Sequence, residues 1–145
     1  MKRITVLLAD DNRLLRSEFR RILQSEDDLE VVGEAKDGHQ AVAMVRKFRP
    51  AVVLMDIAMP LLNGLLATLQ VLKAIPATKV IILSAHDDDE YVQIATDYGA
   101  VGFLVKQTSA GSVCHAIREV QKGNTFYSPS IPNRLHKRNG NKQVG

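Results

Sequence analysis

Five apolar runs of strand length alternate with stretches whose apolar residues fall at helical spacing, and this alternation restricts the fold more than any other feature of the chain. The runs are Ile4 to Ala9, Leu29 to Ala35, Ala51 to Met55, Lys79 to Ala85 and Val101 to Lys106, most of them rich in β-branched residues. Between them lie three stripes: Leu15, Phe19, Ile22 and Leu23; Ala41, Val42, Val45 and Phe48; Leu65, Leu69 and Leu72. Tyr91, Ile94, Ala95 and Tyr98 continue the pattern, and Val113, Ala116, Ile117 and Val120 complete a fifth helix, all expected to face a core. Strands that each return through a helix pair in parallel. The expected fold is therefore a doubly wound α/β domain with helices on both faces of one sheet.

Local punctuation agrees with these elements. Asn12 is placed to cap the first helix, Gly38 precedes the second, Pro50 ends it, and Gly99 and Gly123 stand where the fourth and fifth should stop. With 46% hydrophobic residues, 145 residues suffice for one sizeable core. One domain over residues 1–123 is expected, followed by a linker or tail over 124–145, and composition shifts only after about Pro132.

In such a sheet, ligands bind at the carboxyl ends of the strands, near the point where strand order reverses. There the chain offers Asp10 and Asp11 after the first run, Asp56 after the third, Ser84 at the end of the fourth and Lys106 at the end of the fifth. Singly, each has an ordinary explanation: a strand-end Asp caps a helix, Ser forms a turn, and Lys is solvated. As a set they are specific. Two carboxylates about 4 Å apart repel by about 4 kcal/mol at an effective dielectric near 20, so three imply a bound cation or raised pKa values. A donor set of oxygens without His or Cys favours a hard cation, Mg²⁺ first. Beside such an ion, a carboxylate able to attack phosphorus, a hydroxyl and an ammonium suit a phosphoryl group. Asp56 is the expected nucleophile, Asp10 and Asp11 the metal-side acids, Ser84 a hydrogen-bond donor and Lys106 the countercharge to an acyl phosphate.

With these residues in place, the chain resembles the receiver domain of two-component response regulators over roughly residues 2–123. The matching motifs are LLADDN with Asp10 and Asp11, VVLMDIAMP with Asp56 and Pro60, Asn63-Gly64, LSA with Ser84, and VGFLVK with Phe103 and Lys106. The resemblance implies a flavodoxin-like (βα)5 fold whose five parallel strands run in the order 2-1-3-4-5. It also implies that the backbone carbonyl of Ala58 joins Asp10, Asp11 and Asp56 around Mg²⁺, and that a histidine kinase or a small phosphodonor phosphorylates Asp56. Ser84 would then turn toward the phosphoryl group, Phe103 would move inward, and the face around the fourth helix, fifth strand and fifth helix would repack. Gln107 departs from the family, which usually has proline or an acid after the lysine.

The segment from Arg118 to Leu135 resembles the fifth helix and linker of regulators that carry a LuxR-type helix-turn-helix. The expectation is thus the receiver part of a transcriptional regulator, touching DNA only through an output domain absent from this chain; a single-domain receiver is the alternative. Homodimerisation on phosphorylation is expected, through the first and fifth helices or through the fourth and fifth. Two competing functions are a phosphorylation-independent binding module and an Asp-nucleophile phosphatase resembling the haloacid dehalogenase group. The phosphatase would need a second Asp two residues after the nucleophile, where this chain has Ala58, so a turnover enzyme is not expected.

Other residue classes exclude more than they assign. No apolar run approaches the roughly 20 residues that span a bilayer, and the amino terminus runs into acids where a secretory signal would continue, so a cytoplasmic protein without a membrane partner is expected. The net charge of +3 comes from the tail residues Arg134, Lys137, Arg138 and Lys142, without which the balance is slightly negative. That surplus belongs to a polar tail expected to be solvated. The lone Cys114, Met55 and Met59 are expected to be packing residues. His39, His86, His115 and His136 share no ligand spacing; His86, two residues after Ser84, is placed to tune water access to a phosphoaspartate. The acidic run Asp87 to Glu90 favours the start of the fourth helix through its dipole.

Overall fold

The structure is a computed structural model that describes residues 2–85, 89–108 and 110–128. Its elements are β1 (Ile4–Ala9), α1 (Arg13–Gln24), β2 (Leu29–Ala35), α2 (Gly38–Phe48), β3 (Val52–Asp56), α3 (Gly64–Ala74), β4 (Lys79–Ser84), α4 (Asp89–Asp97), β5 (Gly102–Val105), α5 (Ala110–Gln121) and β6 (Phe126–Tyr127). All strand pairs are parallel, in the order β2-β1-β3-β4-β5-β6. Because successive side chains on a strand point to opposite faces, the buried runs serve two cores. Leu7, Val53, Met55, Ile82 and Phe103 pack on the side of Val45, Val71 and Val92. Val6, Leu8, Leu54, Ile81 and Leu104 pack on the side of Phe19, Leu23, Val113 and Ile117. Cys114 is a free, buried side chain in that second core, and Met55 and Met59 are buried in the first. No helix among the described residues is long and apolar enough to cross a membrane.

The five expected strands keep the order 2-1-3-4-5, and the structure adds a sixth at the β5 edge. Phe126 N donates to Val101 O at 3.0 Å and Ser128 N to Phe103 O at 2.9 Å. Two residues are too few for an alternation to be read from sequence. Within the segment expected as linker or tail over 124–145, Phe126 and Tyr127 pair with β5. His86, Asp87 and Asp88, and the tail with Arg134, His136, Lys137, Arg138 and Lys142, lie outside the described residues.

Ser128 fixes this edge: its Oγ accepts from Val105 N at 2.9 Å, and only 1% of the residue is exposed. Ser128→Ala would strip the Val105 amide of its partner, an expected loss of about 1 kcal/mol. A lower urea midpoint and faster exchange of that amide are the results to look for; an unchanged midpoint would mean that the hydroxyl does not hold β6.

One cap and several stripe residues, Phe48 at 42% exposure among them, differ from expectation. Asn12 caps α1 as expected, accepting from Leu15 N, but the α2 cap is Asp37, and Gly38 is its first helical residue. In α3, Leu69 is 44% exposed, while Ala67, Thr68 and Val71 are buried. Thr68 enters the core because its hydroxyl donates to Gly64 O at 2.7 Å, which satisfies it within the helix. In α4, Val92 and Ala95 are buried and Tyr91 faces outward, 39% exposed. Gly99 and Gly123 follow α4 and α5 with φ of 104° and 99°, left-handed conformations that glycine adopts without strain.

Candidate functional site

β1 lies between β2 and β3, so the strand order reverses at the β1/β3 pair, and the carboxyl ends of these two strands carry Asp10 and Asp56. Both are almost wholly buried, while Asp11 is exposed. Carboxylate oxygens of Asp10, Asp11 and Asp56 lie within 4.8 Å of one another. Lys106, just past β5, reaches across with Nζ 3.1 Å from Asp56 Oδ1 and 3.4 Å from Asp10 Oδ2. Its own amide donates to Ser84 O, which keeps it in line with β4. Every described peptide bond is trans, that of Lys106–Gln107 included.

Around the acids, backbone and side chains set orientation. Asn12 N donates to Asp10 Oδ1 at 2.8 Å, and Ala58 N to Asp56 Oδ1 at 3.4 Å. Among the described residues, Asp56 Oδ2 has no hydrogen-bond partner, and Asp10 Oδ2 has only the ion pair with Lys106. Burial first, and then the charge of Asp10, push the Asp56 carboxyl up to about 6 against the pull of Lys106. Burial works against the Lys106 ammonium too, but Asp56 and Asp10 outweigh it and raise its pKa. Three acids against one ammonium leave two uncompensated negative charges beside orphaned buried oxygens, an all-carboxylate set that fits a hard divalent cation.

The structure brings together all five strand-end residues. Asp56, Ile57, Ala58, Ser84, Ala85, Tyr91 and Lys106 line one cavity of about 160 Å³. Ser84 is buried at its wall. Phe103 has no exposed surface and packs with Ile82 and Val92. In this structure the ring lies inside the core.

Two contributors have no place in the strand-end pattern. Arg16 is buried on α1, donates through Nη1 to Asp10 O at 2.6 Å and through Nε to Glu34 Oε1 at 3.1 Å, and so holds the backbone that carries Asp10. Burial raises the Glu34 carboxyl, yet hydrogen bonds from Arg20 and Arg16 hold it below its usual value. The only signal for Arg16 was its position, three residues before Phe19 on the inward face. The second contributor is Tyr91, whose apolar character assigned it to the core.

The model of the response regulator receiver domain matches residues 6–118, and the chain belongs to that family. Within it, the similarity is to receivers of the LuxR type. The chain is 38% identical over 135 residues to the transcriptional regulatory protein DegU of Brevibacillus brevis, covering 93% of this chain and 57% of that protein. It is 34% identical over 139 residues to the response regulator VraR of Staphylococcus aureus, covering 93% and 66%. A LuxR-family two-component response regulator from Aurantimonas sp. SI85-9A1 superimposes with a TM-score of 0.89 at 25% identity, over 95% of this chain and 99% of that one. The chain spans little more than half of the length of DegU.

Proposed function

We propose that this receiver takes one phosphoryl group onto Asp56 from the phosphohistidine of a sensor kinase or from a small acyl phosphate, and that the phosphorylated form acts as a switch for a DNA-binding output domain. The observation that carries this reading is the Asp56 carboxylate at the floor of the 160 Å³ cavity, with one oxygen free of hydrogen bonds among the described residues and the other 3.1 Å from Lys106. In the transfer, an Asp56 oxygen bonds to phosphorus while the bond to the donor's nitrogen or oxygen breaks and its electron pair leaves with the donor. Lys106 meets the added charge, and Ser84, on the same cavity wall, would turn its hydroxyl toward a phosphoryl oxygen. Asp10, Asp11 and Asp56, with the Ala58 carbonyl, would hold Mg²⁺, which when bound neutralises charge on the phosphoryl oxygens. Ala58, two residues beyond the nucleophile, offers no acid or base, which supports a switch rather than a turnover enzyme. A phosphorylation-linked homodimer and a cytoplasmic location go with this reading.

The test is intact mass before and after acetyl phosphate with Mg²⁺. A metal-dependent gain of one phosphoryl group is expected. No gain, where a control receiver is labelled, would overturn the reading in favour of a phosphorylation-independent binding module. The metal assignment has its own check in Mg²⁺ titration by calorimetry. Asp11→Asn removes an exposed ligand without disturbing the buried pair, and affinity should fall about tenfold or more, about 1.4 kcal/mol. Equal affinity would remove Asp11 from the metal set.

A further inference from the structure

The cavity over Asp56 has a polar floor and an apolar rim. Asp56 and Ser84 are buried and Lys106 half-buried, and these form the floor; Ile57 is half-buried and Ala58, Ala85 and Tyr91 are exposed, which places these four toward the rim. Ala58 and Ala85 are small, and among the described residues of the lining Tyr91 contributes the one aromatic ring. It comes from α4, while the floor comes from β3, β4 and the residue after β5. The position of this ring is not explained by the core, which Val92 and Ala95 fill from the same helix while Tyr91 stays 39% exposed. Thr96 Oγ donates within α4 to Val92 O, so the turn that follows Tyr91 is fixed from inside the helix.

We propose that the Tyr91 ring shields a phosphoryl group on Asp56 from water and thereby sets the lifetime of the phosphorylated state. The inference rests on phosphorylation of Asp56. Loss of the group is a hydrolysis: a water oxygen bonds to phosphorus and the bond from phosphorus to the Asp56 oxygen breaks. The electron pair returns to the carboxylate, and the water gives up one proton to solvent as inorganic phosphate leaves. The attacking water must stand opposite the breaking bond, on the open side of the cavity, because the floor is closed by the sheet. At about 30 Å³ of liquid volume per water, the cavity holds roughly five waters, so a phosphoryl group would displace some of them and leave room for others. A ring at the rim then decides whether another water can enter in line. The shield is apolar bulk, so the phenol hydroxyl is dispensable.

Tyr91 is thus a positioning residue whose effect falls on the loss of the group and not on its acceptance. The test follows the decay of phosphorylated protein after removal of acetyl phosphate, by intact mass, in wild type, Tyr91→Ala, Tyr91→Leu and Tyr91→Phe. Tyr91→Ala should decay at least about fivefold faster, Tyr91→Leu by an intermediate factor, and Tyr91→Phe within about twofold of wild type. Decay of Tyr91→Ala at the wild-type rate or slower would overturn the proposal, and so would Tyr91→Phe decaying as fast as Tyr91→Ala. The two readings fail separately: a wild type that never takes the group refutes phosphorylation and this inference with it, whereas a wild type that is labelled and an indifferent Tyr91→Ala refute the shield alone.

Discussion

Asp56→Asn is expected to abolish phosphoryl uptake and also to make the metal-free protein more stable at neutral pH. The first effect follows from removing the nucleophile; the second follows from where the carboxylate sits. Its pKa rises from 3.8 to about 6 on folding, chiefly through burial and then through the charge of Asp10. A group whose pKa is raised by folding favours the folded state while it is protonated. Its contribution is fully present below about pH 4 and is lost as pH rises through about 6. At roughly 1.4 kcal/mol per unit, the ionised carboxylate therefore costs the fold on the order of 3 kcal/mol above pH 7. Asparagine keeps the shape and does not titrate. In metal-free buffer the two proteins should have similar stability near pH 4, and the variant should be ahead by about 2–3 kcal/mol near pH 7.5, measured by urea unfolding across the range. Excess Mg²⁺ should narrow the gap, since a ligand at a hundred times its dissociation constant stabilises by about 2.7 kcal/mol and the variant has lost a ligand. Equal stabilities at pH 7.5 would mean that Lys106 fully compensates Asp56, so that the site holds no stored repulsion for a cation or a phosphoryl group to relieve.

Gly64→Ala is expected to have the largest effect on the fold. Gly64 opens α3, and its amide donates to Ile57 O at 2.8 Å, folding the loop after β3 back on the strand end. A Cβ there would overlap the Asp56 carbonyl oxygen and crowd its carbon and the Ile57 Cα. The obstacle is backbone, which cannot rotate away as a side chain can. Either α3 withdraws or the residue that carries the nucleophile moves. Overpacking usually costs about 1–3 kcal/mol, and a clash with strand backbone belongs at or beyond the upper end. The variant should lose about 3 kcal/mol or more and, where still folded, should label slowly because Asp56 is displaced. Gly111 in α5 is the control, since a Cβ there meets nothing within 4 Å. Gly111→Ala should stabilise by about 0.5–1 kcal/mol through helix propensity. If Gly64→Ala behaved like Gly111→Ala, the tight seat of α3 on the Asp56 backbone would be wrong.

This same contact explains why the third stripe misleads. Leu65, Leu69 and Leu72 have helical spacing, but the rotation of α3 is fixed at its first turn, where Gly64 seats on the strand end and the Asn63 side chain accepts from Leu66 N. The seat turns Ala67, Thr68 and Val71 inward and leaves Leu66 and Leu69 partly in solvent. In α4 the face is set by contact with β5 and the first core, which takes Val92 and Ala95 and leaves Tyr91 at the rim of the cavity.

The sequence by itself determined the strand-helix alternation, the parallel sheet and the strand-end positions of Asp10, Asp11, Asp56, Ser84 and Lys106. Each of these depends on short-range regularities: a period of two or 3.6, a cap, a residue directly after an apolar run. Tertiary structure alone decided the rotation of α3 and α4 and the burial of Arg16 beneath Asp10. It also decided the pairing of Phe126–Tyr127 with β5 and the place of Tyr91 at the mouth of the site. Those features arise between residues far apart in the chain, where the deciding quantity is which atoms fill the space left by others, and no local period encodes that.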